Sequence, residues 1–281
     1  MKVLYLVGMG RSGSTLLDIL LDAHSRIRSL GGVQRLVHYA SKQPCPCGAP
    51  SFQECPFWVK VDQEVRQRIG RSLTTVQVNS RNKQVFRKHN HAVFESASAV
   101  ADAEFVTDNS KSGHRLKRLM AHTGMEVIPI HVLRDPRGRA QSVRKRKNRS
   151  YMPALSYSYR ALRLFTLLYG KSHIVVDYDR LAKDPQGEVA KLMRRLGLEH
   201  EPQQMSWAEH SHHNIGAADV LQKTEGSTIR PDDAWKERLS EHEKKIVSAI
   251  ASPGLLANRI KERRWGLENG PDQEKTDNKA S

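Results

Sequence analysis

The chain opens MKVLYLVGMGRSGSTLLDIL, residues 1–20, and the eight residues GMGRSGST, Gly8 to Thr15, govern how everything after them is read. They have the length of a phosphate-binding loop of the G-x-x-x-x-G-K-[ST] kind, yet Ser14 stands where the lysine belongs. Gly8, Gly10 and Gly13 also spell G-x-G-x-x-G. Before the loop, KVLYLV (residues 2–7) reads as a buried parallel strand. After it, STLLDILLDAH (14–24) carries leucines and isoleucine at helical spacing. Strand, glycine turn and helix in that order aim the free N–H groups and dipole of the helix at one spot, which makes an anion site. Gly10 and Gly13 let backbone approach the anion, and Arg11, Ser12, Ser14 and Thr15 add donors.

Which anion follows from what the loop lacks. A dinucleotide site wants an acidic residue about 20 positions further on to hold a ribose, and the stretch there, SRIRSLGGVQRL, has none. A kinase loop uses its lysine on the β and γ phosphates and its Ser/Thr on Mg²⁺. A donor with one phosphate and one sulfuryl group carries less charge at the transferring end and needs neither. The missing lysine therefore points to an activated sulfate, with a P-loop kinase using Mg²⁺-ATP as the first alternative.

The 281 residues suffice for one α/β domain with insertions, and the net charge of +16 implies a polyanionic partner. A basic nucleic-acid-binding protein is the second alternative. The main basic run, RDPRGRAQSVRKRKNRS (134–150), has no interleaved aromatics to stack bases, so a nucleotide ranks above nucleic acid. No apolar run approaches the roughly 20 residues of a membrane span. No leader is evident, and a cytoplasmic location is expected. Cys45, Cys47 and Cys55 sit together in CPCGAPSFQECPFW. An odd count argues against a secreted disulfide scaffold. Zinc would need a fourth ligand, for which His38 is nearest, and C-x-C-x₇-C is not a standard finger spacing. A structural loop, with or without one disulfide, is the expectation, with no metal site.

Further along, a loop is expected at 26–35 and amphipathic helix from Phe57 to about Ala99, broken near 79–83, as a helical insertion spanning about 35–100. Strands are expected at 104–107, 126–133 and 172–176, and helices near 153–169 and at 185–196 with Gly197 as the stop. Strands alternating with helices imply a parallel sheet wrapped on both faces, with ligands at the carboxyl ends of its strands. That rule selects GMGRSGST, DNSKS (108–112) and RDPRGRAQS (134–142). Residues 1–265 read as one domain and 266–281 as a disordered tail.

Two motifs then resemble the sulfotransferases that use 3′-phosphoadenosine 5′-phosphosulfate (PAPS), especially bacterial members related to carbohydrate and tyrosylprotein sulfotransferases. VGMGRSGSTLL looks like their 5′-phosphosulfate loop, and VLRDPRGRAQS like their 3′-phosphate site, with Arg134 and Ser142 gripping the phosphate. CPCGAPSFQECPFW and DNSKS also look like segments found in bacterial members. The resemblance implies a three-layer α/β fold of the P-loop NTPase type, a central parallel sheet flanked by helices with a helical insertion. It implies an adenosine nucleotide donor, no required metal, and 3′,5′-ADP as product. Arg11 and Lys111 become the candidates for stabilising charge on the leaving group. Carbohydrate, a small hydroxylated metabolite and a peptide tyrosine all remain open as acceptor, with substrate choice expected in the helical insertion and at 151–169.

A general base is also implied. Many relatives carry it as a glutamate in a G-E pair after the first helix. In SLGGVQRLV, Gly32 stands at that place. His38, Asp108 and His114 are the candidates to replace it. His212, His213 and Asn214 resemble a late loop that closes over the nucleotide, with Lys223 or Arg230 as a basic residue following it.

Overall fold

A computed structural model of the chain describes residues 1–147, 152–217, 221, 226, 228–229 and 231–266. All of the expected tail but Gly266 lies outside the described residues, as do Tyr151, Lys223 and Arg230. Two compact units divide the chain, the first made of residues 1–7, 14–129 and 201–228, the second of 8–13, 130–200 and 229–281.

In chain order the first unit holds most of β1 (Lys2–Gly8), then α1 (Ser14–Asp22), β2 (Ile27–Ser29), α2 (Leu36–Lys42), α3 (Pro56–Ile69), α4 (Lys83–Ala101), β3 (Phe105–Asp108) and α5 (Gly113–His122). β1 runs parallel to β3, with Lys2 opposite Phe105 and Tyr5 opposite Asp108. β3 runs parallel to β2, with Ile27 opposite Phe105. Val3 to Val7 and all of β3 are buried, the continuous burial that a parallel sheet covered on both faces requires. Pro56 opens α3 and left-handed Gly70 closes it. Asn82 and Ser112 cap α4 and α5 through side-chain oxygens that accept backbone N–H groups. Residues 36–101 are thus mainly helical, as expected, but the break between α3 and α4 runs over 70–82, opening earlier than the 79–83 expected. β2 corrects the sequence reading, because it falls inside the stretch expected to be a loop. Its three residues include Arg28 and carry no alternation to detect, and pairing with β3 makes them a strand.

The second unit follows with most of β4 (Val127–Leu133), α6 (Pro136–Lys147), α7 (Met152–Leu168), β5 (Ile174–Asp177), α8 (Tyr178–Lys183), α9 (Pro185–Leu196), α10 (Ala234–Arg238) and α11 (Glu241–Trp265). β4 and β5 are parallel, with Ile130 opposite Ile174. α11 packs on α6 and α7. It starts at a reciprocal capping box between Ser240 and Glu243. α9 ends at left-handed Gly197, the stop anticipated from sequence. The strand order is β2-β3-β1-β4-β5, one parallel sheet flanked by helices. Among the described residues, no helix is long and apolar enough to cross a membrane.

Candidate functional site

In the second unit the loop Gly8–Gly13 is fixed from several directions. Met9 is buried in an apolar cluster with Tyr157 and Ala161 of α7 and Ala251 of α11. The carbonyl of Gly10 accepts from Arg139 Nε at 3.3 Å, and that of Arg11 from Arg134 Nη1 at 2.8 Å. Arg11 and Gly13 both adopt left-handed backbone, at φ 71° and 83°. A Cβ added to Gly13 would lie 1.9 Å from the Tyr178 ring, so only glycine serves there. Alternating handedness of this kind turns successive N–H groups toward one concavity, the anion-binding nest of phosphate loops.

Arg134 leaves the end of β4 and is buried. Its guanidinium lies 4.6 Å from the Tyr178 ring centre and donates from Nη2 to Asp232 at 2.6 Å. Its Nε is buried with no partner among the described residues. A carboxylate oxygen of Asp232 here holds a place that a phosphate oxygen could take. Ser142 is half-buried on α6. Arg139, which the sequence did not single out, is buried on the same helix. Burial and the Arg160 charge bring its pKa down to about 10, so it remains a cation at neutral pH.

In the first unit α1 begins at Ser14. Lys111, itself left-handed at φ 60°, brings its Nζ to 3.3 Å from Thr15 Oγ1. A lysine from the DNSKS loop thus reaches the start of α1, although position 14 has none. The buried hydroxyls of Ser12, in the second unit, and Ser14, in the first, have no hydrogen-bond partner among the described residues.

Behind Ser14 lies a buried network that sequence reasoning missed. Asp18 Oδ1 accepts from Thr107 Oγ1 at 2.5 Å and Oδ2 from Asn109 Nδ2 at 3.3 Å, while Asn109 Nδ2 also reaches the Ser14 carbonyl at 3.1 Å. Burial, only partly offset by the bonds from Thr107, Ser29 and Asn109, pushes the Asp18 carboxyl up to about 6. A carboxyl raised in this way stabilises the fold while protonated, below its unfolded pKa, and loses that contribution as pH rises through the folded value. The stability of the parent chain relative to Asp18→Asn is expected to fall by about 2 kcal/mol between about pH 4 and about pH 7. Urea denaturation at several pH values measures it, and a flat difference would contradict the raised pKa.

The candidate bases fall in different surroundings. Asp108 is fully buried, accepting from Arg115 Nε at 2.8 Å and from the Ser110 backbone and hydroxyl. His114 and His38 are exposed, with His38 edge-on to the Tyr39 ring. Gly31 is left-handed at φ 66°, and a Cβ there would meet the Ile215 carbonyl oxygen at 2.3 Å. Gly32, at φ −83°, has only the Asn109 oxygen 3.8 Å from an added Cβ. Of the pair, Gly31 must be glycine and Gly32 need not be.

His212 is a buried tether. Its ring nitrogens lie 2.7 Å from Asp22 Oδ2 and 2.7 Å from the Trp207 carbonyl. Burial alone would raise the Asp22 pKa, but the His212 hydrogen bond and the Arg28 charge hold it below its ordinary value. His213 meets the cysteines. All three cysteines are free, which corrects the allowance for a disulfide, and His213 stands beside them in the place considered for His38.

A model of the sulfotransferase family matches residues 4–202. Among solved structures, the sulfotransferase domain from the curacin biosynthetic pathway gives a TM-score of 0.58 at 16% identity, covering 89% of this chain and 97% of that one. The sulfotransferase domain from the Synechococcus PCC 7002 olefin synthase gives 0.52 at 16% identity, covering 89% and 94%. At such identities the likeness is one of fold, an α/β architecture of the P-loop NTPase type. No curated protein matches the sequence.

Proposed function

The chain belongs to the sulfotransferase family, and from that premise we propose that it moves a sulfuryl group from PAPS to a hydroxyl or amine acceptor and releases 3′,5′-ADP. The observation that carries the reading is the make-up of Gly8–Thr15. Two buried serine hydroxyls there lack partners among the described residues, backbone at Arg11 and Gly13 is left-handed, and the Lys111 ammonium stands beside Thr15. Orphaned buried donors in a glycine loop suit an anion, because each would otherwise cost roughly 1–3 kcal/mol unsatisfied.

In this reading Gly10, Arg11, Ser12 and Gly13 of the second unit, with Ser14 and Thr15 of the first, bind the phosphosulfate, and Arg134 and Ser142 bind the 3′-phosphate. The donor supplies a sulfur centre open to in-line attack and a leaving group on which negative charge grows. Arg11 and Lys111 neutralise that charge, and fixed cations do so without reorganising at the moment of reaction. The site needs no metal for this. A kinase would need an aspartate after an apolar run to hold Mg²⁺, for which Asp108 and Asp177 are the two places, and both Asp108 oxygens are committed to Arg115 and Ser110. The same commitment makes Asp108 a poor general base. One domain spanning 1–265, acting in the cytoplasm on an acceptor selected by the insertion and by α7, completes the proposal. Tyr159 on α7 and Tyr169 just after it stand exposed.

Release of 3′,5′-ADP from PAPS, followed over a panel of phenols, sugars and amines, tests the function. Release that depends on one acceptor class supports it, and inertness of PAPS with every class would count against it. Gly32→Glu is expected to raise turnover on hydroxyl acceptors by roughly tenfold or more, since a positioned base is worth about 10²–10⁴ and position 32 has room for a side chain. Unchanged turnover would show that no base operates from that position.

A further inference from the structure

The three cysteines and His213 form a second chemical centre, wholly within the first unit. Cys45, Cys47, Cys55 and His213 each offer one ligand atom, and all four atoms lie within 4.8 Å of one another. Cys47 Sγ is 3.7 Å from Cys55 Sγ, and His213 Nδ1 is 3.6 Å from Cys45 Sγ and 3.2 Å from Cys55 Sγ. A tetrahedral zinc with Zn–S of about 2.3 Å and Zn–N of about 2.0–2.1 Å has S···S edges of about 3.8 Å and S···N edges of about 3.5 Å. These three separations are close to a tetrahedron's edges, whereas a disulfide would need about 2.05 Å.

The Phe57 ring stacks on His213 at 5.0 Å, and Trp58 Nε1 donates to the His213 carbonyl at 3.0 Å, so the imidazole is held in place. Cys45 opens a turn that contains Cys47, in which Cys45 N–H bonds to Ala49 O and Gly48 N–H to Cys45 O. Cys55 caps α3.

We propose that Cys45, Cys47, Cys55 and His213 bind one structural zinc ion. Three thiols lose their protons to solvent as Zn²⁺ binds, leaving a four-coordinate site of net charge −1 with no open position for water or substrate. Its work is to tie two segments far apart in sequence, the start of the helical insertion and the loop around His213. That loop continues into Ile215, whose backbone pairs with Leu30 and Gly32. The zinc therefore braces the Gly31–Gly32 turn, where the expected base is replaced. The inference does not depend on the donor or the acceptor.

Elemental analysis of the full chain, purified under reducing conditions without chelator, tests it. One zinc per chain is expected. Replacement by Co²⁺ is expected to give thiolate-to-cobalt charge-transfer and tetrahedral d–d bands, and a strong chelator is expected to lower the melting temperature. Cys47→Ser, at a half-buried ligand, is expected to lose the metal. Should that variant fail to fold, zinc content and the cobalt spectrum of the parent chain still decide the matter. A parent chain that carries no zinc and takes up neither Zn²⁺ nor Co²⁺ with its thiols reduced would overturn the proposal.

Discussion

Arg134→Ala is expected to weaken binding of 3′,5′-ADP by on the order of a thousandfold, the loss of two charge-assisted hydrogen bonds at roughly 1.5–3 kcal/mol each. The residue has two duties. One is the proposed grip on the 3′-phosphate, with Nε held without a partner among the described residues and Nη2 on the Asp232 carboxylate. The other is support of the glycine loop itself, through Nη1 to the Arg11 carbonyl. Alanine removes both and leaves the Tyr178 ring without its cation. Arg134→Lys is expected to recover little, because an ammonium cannot serve the loop carbonyl and a phosphate through a rigid fork. Calorimetric titration measures the affinity, with circular dichroism to establish that the variant is folded. A folded Arg134→Ala chain that binds within about threefold of the parent would remove Arg134 from the nucleotide site.

Lys111→Ala is expected to lower turnover by about 10²–10³, the usual effect of removing one group that stabilises charge in the transition state. Its effect on 3′,5′-ADP affinity is expected to be far smaller, since the product has lost the sulfuryl group beside which the lysine would act. The backbone argues for a functional placement. A lysine at φ 60° is held in a conformation that costs about 1 kcal/mol or more, and its ammonium is directed to Thr15. Steady-state release of 3′,5′-ADP separates the two effects. Equal losses in turnover and product affinity would make Lys111 a binding residue only.

Much of the fold was legible in the sequence because its strands are apolar runs and its helices carry their own punctuation. KVLYLV needed no partner to be recognised, and Gly197 marked the end of α9. β2 was hidden because a three-residue strand is defined by β3 and not by its own pattern. The loop Gly8–Gly13 was legible as a turn between a strand and a helix, since glycines, hydroxyls and the following helical pattern are contiguous. Its support was not. Tyr178, Arg139 and Asp232 meet the loop and Arg134 through contacts from distant positions. Asp18 sits among leucines and reads as the polar face of an amphipathic helix until Thr107 and Asn109 are placed against it. The cysteine cluster was visible as a local oddity, but its fourth member lies 158 residues beyond Cys55, and proximity in sequence favoured His38. Gly31 and Gly32 look alike in the sequence, and only the Ile215 carbonyl separates them.

The central claim is that GMGRSGST serves an adenosine 3′-phosphate 5′-phosphosulfate donor and not a triphosphate. Calorimetric titration of the full chain with 3′,5′-ADP, without added metal, against ATP with Mg²⁺ tests it most directly. Micromolar binding of 3′,5′-ADP with ATP bound far more weakly is the result predicted. Preference for Mg²⁺-ATP, or no binding of 3′,5′-ADP, would contradict it.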